Sequence, residues 1–99
     1  MTPGLLTYCS TQRDWLLDFI DELVSIESPS GDVEALNRCG AALQARLKAL
    51  GAVVTPVRPS SAGDHLRASF GSGDRQVLLL GHFDTVWPVG QLQRMPLET

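Results

Sequence analysis

Apolar residues in the first half of the chain recur every three or four positions, with polar residues between them. From Trp15 to Val24 this spacing is typical of one face of a helix, and acidic side chains occupy the other face. Thr11 is placed to cap this helix, with Asp14 three residues later as in a capping box. The pattern predicts an amphipathic helix that ends near Glu27, with its apolar stripe in the core.

A second amphipathic helix is predicted after the turn SPSGD. Pro29 disfavours helical backbone at the residue before it, and Ser30 or Asp32 is suited to cap the helix that follows. Apolar and small residues then keep helical spacing as far as Leu50. Gly51 stands where a left-handed C-terminal cap belongs.

The second half of the chain changes to the shorter periods of strands. The segments AVVTPV and HLRASF indicate half-buried strands, and Pro56 in the first favours an edge position or a bulge. The segment VLLL, residues 77–80, is short and continuously apolar, which is typical of a strand covered on both faces. Two N-terminal helices followed by three strands predict the α/β or the α+β class, of which we favour α/β.

Composition narrows the possible functions. The 43% hydrophobic and 19% charged residues are those of a globular chain, and the net charge of −3 argues against a nucleic-acid-binding surface. No apolar run approaches the ~20 residues of a membrane helix. Residues 1–10 show neither helical spacing nor the features of a signal peptide, so we expect a flexible N-terminal tail and a cytoplasmic protein. Cys39 is predicted to be buried, and Cys9 to be a free thiol.

Two polar residues with catalytic potential follow the apolar strand. His82 and Asp84 are two positions apart, so on extended backbone their side chains point the same way, while Phe83 points into the structure. One interpretation is a metal ligand whose second ring nitrogen donates to the carboxylate. A second is a His–Asp dyad, which needs a nearby Ser or Cys, although no GxSxG elbow is present. A third is that two polar residues simply follow a buried strand.

The residues around this pair point to the metal site by resemblance. The segment VLLLGHFDTVWPVG resembles the first metal-binding motif of the zinc metallopeptidases that include glutamate carboxypeptidase, acetylornithine deacetylase, succinyl-diaminopimelate desuccinylase and aminoacylase. The continuation QLQRMPLE is similar to the segment that follows in the glutamate carboxypeptidase branch. Looser agreement extends upstream through SIESPSGD, LKALGA and GDHLRASFG.

This resemblance implies a role for each matching residue. His82 corresponds to the first zinc-ligand histidine, and Asp84 to the catalytic-site aspartate that orients and polarises it. Such hydrolases hold two Zn²⁺ ions in a three-layer catalytic domain with a mixed sheet. They cleave a peptide or N-acyl amino acid to release a C-terminal residue such as glutamate. Trp87 is a candidate substrate contact, with simple packing as the alternative.

The other family ligands, the general-base glutamate and the inserted domain that forms the homodimer have no counterpart in this sequence. We therefore expect residues 11–99 to be the N-terminal portion of such a catalytic domain. That portion would be inactive and unable to hold zinc by itself, because a catalytic zinc needs about three protein ligands. The alternative is a small non-catalytic domain, or a gene remnant, that binds a partner through an exposed edge strand.

Overall fold

The computed structural model describes residues 3–59 and 61–98, which form helices and an antiparallel strand pair. In chain order the elements are α1 (Pro3–Thr11), α2 (Arg13–Ser25), α3 (Val33–Ala49), β1 (Val53–Val57), β2 (His65–Ser69) and α4 (Gln91–Arg94). The two strands pair antiparallel in unbroken register, from Val53 opposite Ser69 to Val57 opposite His65. Within the described ranges, no helix combines the length and apolar character needed to cross a membrane.

Helix α3 begins and ends as its sequence predicts. The side chain of Asp32 accepts a hydrogen bond from the backbone N–H of Ala35 at 3.0 Å, which satisfies a donor of the first turn. At the other end Gly51 has φ +100°, and the N–H groups of Gly51 and Ala52 donate back to carbonyls of the last turn. This is a Schellman arrangement, and the left-handed backbone favours glycine there.

The small core lies along α3, which packs against both strands. The buried residues of α3 are Ala35, Leu36, Cys39 and Gly40, and Ser28, Ala52 and Gly63 are buried next to them. The burial of Cys39 confirms the sequence prediction, and Cys9 is an exposed free thiol as expected. Few large side chains are buried among the described residues, and α3 supplies most of this small apolar interior.

Helix α2 attaches to α3 through one arginine rather than through a buried stripe. The Arg46 guanidinium bonds to the Glu22 carboxylate at 2.6 Å and lies over the ring of Phe19, 5.0 Å from its centroid. No residue of α2 is buried, and Ile20 is 55% exposed. The prediction that the whole apolar stripe of this helix is core is therefore wrong here, since no described element covers its outer half.

The N-terminal segment also differs from the prediction. Residues 3–11 form α1 instead of a flexible tail, and residues 1 and 2 lie outside the described ranges. Thr11 ends α1, where its hydroxyl donates to the carbonyl of Tyr8 at 2.6 Å. Thr11 does not cap α2, because the N-cap position of that helix is Gln12, which makes no side-chain bond. The prediction failed because the chain stays nearly helical across the junction, with the Leu16 N–H donating to Gln12.

The predicted third strand is absent from the described residues. Residues 77–80 adopt no regular structure, and their side chains are between 84% and 91% exposed. A strand needs neighbouring backbone groups to pair with, and among the described residues none bonds to this segment. The apolar pattern predicts a strand, but no segment of residues 3–59 and 61–98 supplies the backbone groups with which it would pair.

Gly63 offers a test of the packing between α3 and the loop before β2. A Cβ on this buried glycine would lie 2.9 Å from Leu36 Cβ, so we expect Gly63→Ala to force the loop from the core. The expected loss is about 1–3 kcal/mol in the free energy of unfolding, measured by urea denaturation. The control is Gly31→Ala, where a Cβ meets nothing within 4 Å and the change should stay within about 1 kcal/mol. Equal effects would show that this contact does not form.

Candidate functional site

The turn before α3 and the segment that contains His82 lie side by side. The Ser30 N–H donates to the Thr85 carbonyl at 3.0 Å, and the Thr85 N–H donates to the Ser28 carbonyl at 2.7 Å. These two bonds make a short parallel bridge between Pro29 and Thr85. The candidate site is therefore attached through its backbone to the N-terminal end of the best-packed helix.

The side chain of Ser28 strengthens this attachment. It is 3% exposed and donates to the Phe83 carbonyl at 2.8 Å. The Phe83 ring then lies against α3, 3.4 Å from the place a Cβ on Gly40 would take. Phe83 thus faces inward as its position predicts, and this leaves its two neighbours on the opposite side of the segment.

His82 and Asp84 meet on that outer side. His82 Nδ1 lies 3.0 Å from Asp84 Oδ1 and 3.3 Å from the Asp84 carbonyl oxygen. The His82 side chain is 83% exposed, so its other ring nitrogen, Nε2, faces away from the fold. The structure brings the two side chains together as their spacing indicates. Their roles as zinc ligand and catalytic residue stay predictions.

Ser30 binds the second oxygen of the same carboxylate. Its hydroxyl donates to Asp84 Oδ2 at 2.7 Å. This bond, with a smaller contribution from the neighbouring His82, lowers the pKa of Asp84 below its ordinary value. Because the pKa of Asp84 is lower in the folded chain than in the unfolded chain, the ionised carboxylate stabilises the fold fully above its ordinary pKa. This stabilisation disappears as the pH falls through the lowered pKa.

Sequence reasoning missed the two serines of the turn. It assigned Ser30 a possible capping role, but Asp32 caps α3. The hydroxyls of Ser28 and Ser30 instead bond to residues 55 and 54 positions away, respectively. Serine in a turn before a helix is the ordinary signature of a cap, so no local pattern distinguishes the two uses. Only the tertiary contact does.

Trp87 lies at an apolar cavity of about 240 Å³ between the end of α2 and α4, which His82 and Asp84 do not line. Glu27 fixes this region, because its carboxylate accepts from the backbone N–H groups of Gly90 and Gln91 at 2.7 and 3.0 Å. Trp87 is therefore separate from His82 and Asp84 and is 56% exposed, and its role as a substrate contact stays a prediction.

The donors for a metal ion are few. Within residues 3–59 and 61–98, no three His, Cys, Asp or Glu side chains come together in a group able to hold one. The exposed imidazole of His82 is chemically suited to bind zinc, and a carboxylate that accepts from the other ring nitrogen is the usual partner of such a histidine. Among the described residues, His82 with Asp84 beside it is therefore a candidate for one zinc ligand and its orienting carboxylate.

A known protein with a similar sequence is much longer than this chain. Carboxypeptidase G2 of Pseudomonas sp. (strain RS-16) is 36% identical to the chain over 97 residues. The chain is similar to a carboxypeptidase. The match covers 95% of the chain, which spans only 23% of the length of that relative. No family model matches the chain.

Proposed function

We propose that this chain is part of the catalytic domain of a zinc-dependent carboxypeptidase-type amidohydrolase. In this proposal His82 is a zinc ligand and Asp84 is the carboxylate that orients it. The main support is the 3.0 Å contact between His82 Nδ1 and Asp84 Oδ1, which leaves Nε2 on an exposed edge of the ring. The similarity to Carboxypeptidase G2 supports the reaction class.

The donor chemistry fits zinc at one position. A neutral imidazole binds Zn²⁺ through one nitrogen while the other donates to a carboxylate, and this second bond fixes the tautomer and raises the basicity of the ligand. Zinc at such a site polarises the scissile carbonyl and acidifies water. The further ligands and the general base would come from sequence outside these 99 residues, so we expect the isolated chain to be inactive.

The extent of exposed surface favours the same proposal. The chain has 8104 Å² of accessible surface, whereas a compact monomer of this mass has about 5,500 Å². Its radius of gyration is 15.6 Å, against about 13 Å for a compact domain of this length. Apolar residues 77–80 and the outer half of α2 account for part of this surface. A three-layer domain with a mixed sheet would cover both.

The substrate we propose is a peptide or N-acyl amino acid, with release of a C-terminal residue such as glutamate. The preference for glutamate rests on the resemblance of GHFDTVWP and QLQRMPLE to the glutamate carboxypeptidase branch. A homodimer and a cytoplasmic location stay predictions.

A hybrid enzyme tests this function directly. In it, the segment of Carboxypeptidase G2 that matches this chain is replaced by this chain's sequence. We expect the hybrid to release glutamate from an N-acyl-glutamate, and to lose this activity with a chelator and regain it with zinc. The isolated chain, assayed in parallel, should release none. A folded hybrid that contains zinc but does not hydrolyse the substrate would contradict the proposal.

A further inference from the structure

We infer that Ser30 is a positioning residue, whose hydroxyl holds the Asp84 carboxylate in the orientation that fixes the His82 ring. The inference deepens the proposed function, and its importance for catalysis rests on that function. The hydrogen-bond geometry does not depend on the proposed function, because it involves only the side chains of Ser30, His82 and Asp84.

The two oxygens of Asp84 have different partners from different parts of the chain. Oδ2 accepts from the Ser30 hydroxyl at 2.7 Å, and Oδ1 lies 3.0 Å from His82 Nδ1. An exposed histidine–carboxylate pair is weak by itself, because both side chains must be ordered and water competes for each. A second bond from another element restricts the carboxylate to one rotation. The His82 ring then meets an acceptor that is already in place.

Ser30 can serve as this anchor because its own backbone is fixed. Its N–H donates to the Thr85 carbonyl, and the Thr85 N–H donates to the Ser28 carbonyl. These two bonds fix the Ser30 hydroxyl in place just before α3. The hydroxyl also lies 3.1 Å from the Thr85 carbonyl, but it has a single proton. The charged and nearer Asp84 oxygen is the stronger acceptor.

The consequence for His82 is a preferred tautomer. With the carboxylate held next to Nδ1, the neutral ring carries its proton on Nδ1 and leaves the Nε2 lone pair towards solvent. This is the form of imidazole that a metal ion requires from that direction. Without the anchor, we expect the carboxylate to rotate away and the ring to distribute its proton over both nitrogens.

Imidazole ¹⁵N spectra of the 99-residue chain test the inference. The ¹⁵N shifts of an imidazole, recorded at alkaline pH, report which ring nitrogen carries the proton. We expect the Nδ1-protonated form at His82 in the unchanged chain and loss of this preference in Ser30→Ala. His65 is an internal reference, because its ring makes no hydrogen bond within the described residues and should not respond.

A matched pair of variants separates the hydroxyl from the shape of the side chain. Ser30→Thr keeps the hydroxyl and should keep the Nδ1-protonated form, whereas Ser30→Val has the same shape and should lose it. This pair also decides the matter if Ser30→Ala unfolds. Equal His82 spectra for Thr and Val, or an unchanged chain whose His82 matches His65, would overturn the inference.

The result is independent of the hybrid enzyme. A Thr/Val difference with an inactive hybrid would leave Ser30 as the anchor and remove the hydrolase proposal. An active hybrid without any Thr/Val difference would do the reverse.

Discussion

His82→Ala is expected to abolish hydrolysis by the hybrid enzyme, below the detection limit of an assay for released glutamate. Alanine has no donor atom for a metal ion, and a catalytic zinc site has about three protein ligands, so losing one leaves too few. The zinc content of the purified variant, measured by elemental analysis, should fall in parallel. The loss is chemical rather than structural, because the His82 side chain is 83% exposed and contributes little packing.

Two further variants establish the cause. His65→Ala removes the other histidine, at the exposed start of β2, and should leave the activity unchanged. Asp84→Asn keeps the shape but not the charge of the partner, and should lower zinc affinity or activity ~10–100-fold. In the isolated chain, which we expect to hold less than one zinc, His82→Ala should change the metal content little. Full activity of the His82→Ala hybrid would contradict the assignment of His82 as a ligand.

The parts of the fold that the sequence predicted well are those determined locally. Helix α3 has its cap at Asp32 and its left-handed glycine at Gly51, and each acts through backbone groups no more than five residues away. The strands β1 and β2 follow from alternation of apolar and polar residues together with the loop between them. Such signals need no distant partner, so a single sequence contains them in full.

The failures concern features that depend on distant or absent partners. The apolar residues 77–80 have the composition of a buried strand, but composition cannot supply the neighbour that a strand pairs with. The outer face of α2 reads as core for the same reason. Helix α1 was not predicted although it depends on local interactions. Its few apolar residues make no clear stripe, and the chain continues through Gln12 into α2.

The candidate site likewise has one part that local sequence predicts and one part that it does not. Spacing two apart on extended backbone is enough to place His82 beside Asp84. The contribution of Ser30 is invisible in the sequence, because 54 residues separate it from Asp84 and nothing local marks it. The chemical role of the pair stays a prediction from the resemblance to the zinc metallopeptidases.

Leu79→Ala is expected to destabilise the hybrid enzyme strongly and the 99-residue chain hardly at all. In the 99-residue chain Leu79 is 90% exposed, so its truncation should change the free energy of unfolding by no more than about 0.5 kcal/mol. In the hybrid enzyme we propose that residues 77–80 become a strand covered on both faces. The same truncation should then cost about 2–5 kcal/mol, as for other buried leucines. Urea denaturation followed by circular dichroism measures both values.

Leu36→Ala is the matched control, because Leu36 on α3 is only 7% exposed in the 99-residue chain. Its truncation should destabilise both the chain and the hybrid, which shows that each has a core able to report a lost leucine. A small cost at Leu79 in both settings would mean that residues 77–80 stay uncovered in the hybrid. The alternative of a small domain that binds a partner through this segment would then gain support. A large cost in the hybrid alone would show that these residues are the interior strand of a larger domain, since an exposed leucine loses little when it is shortened.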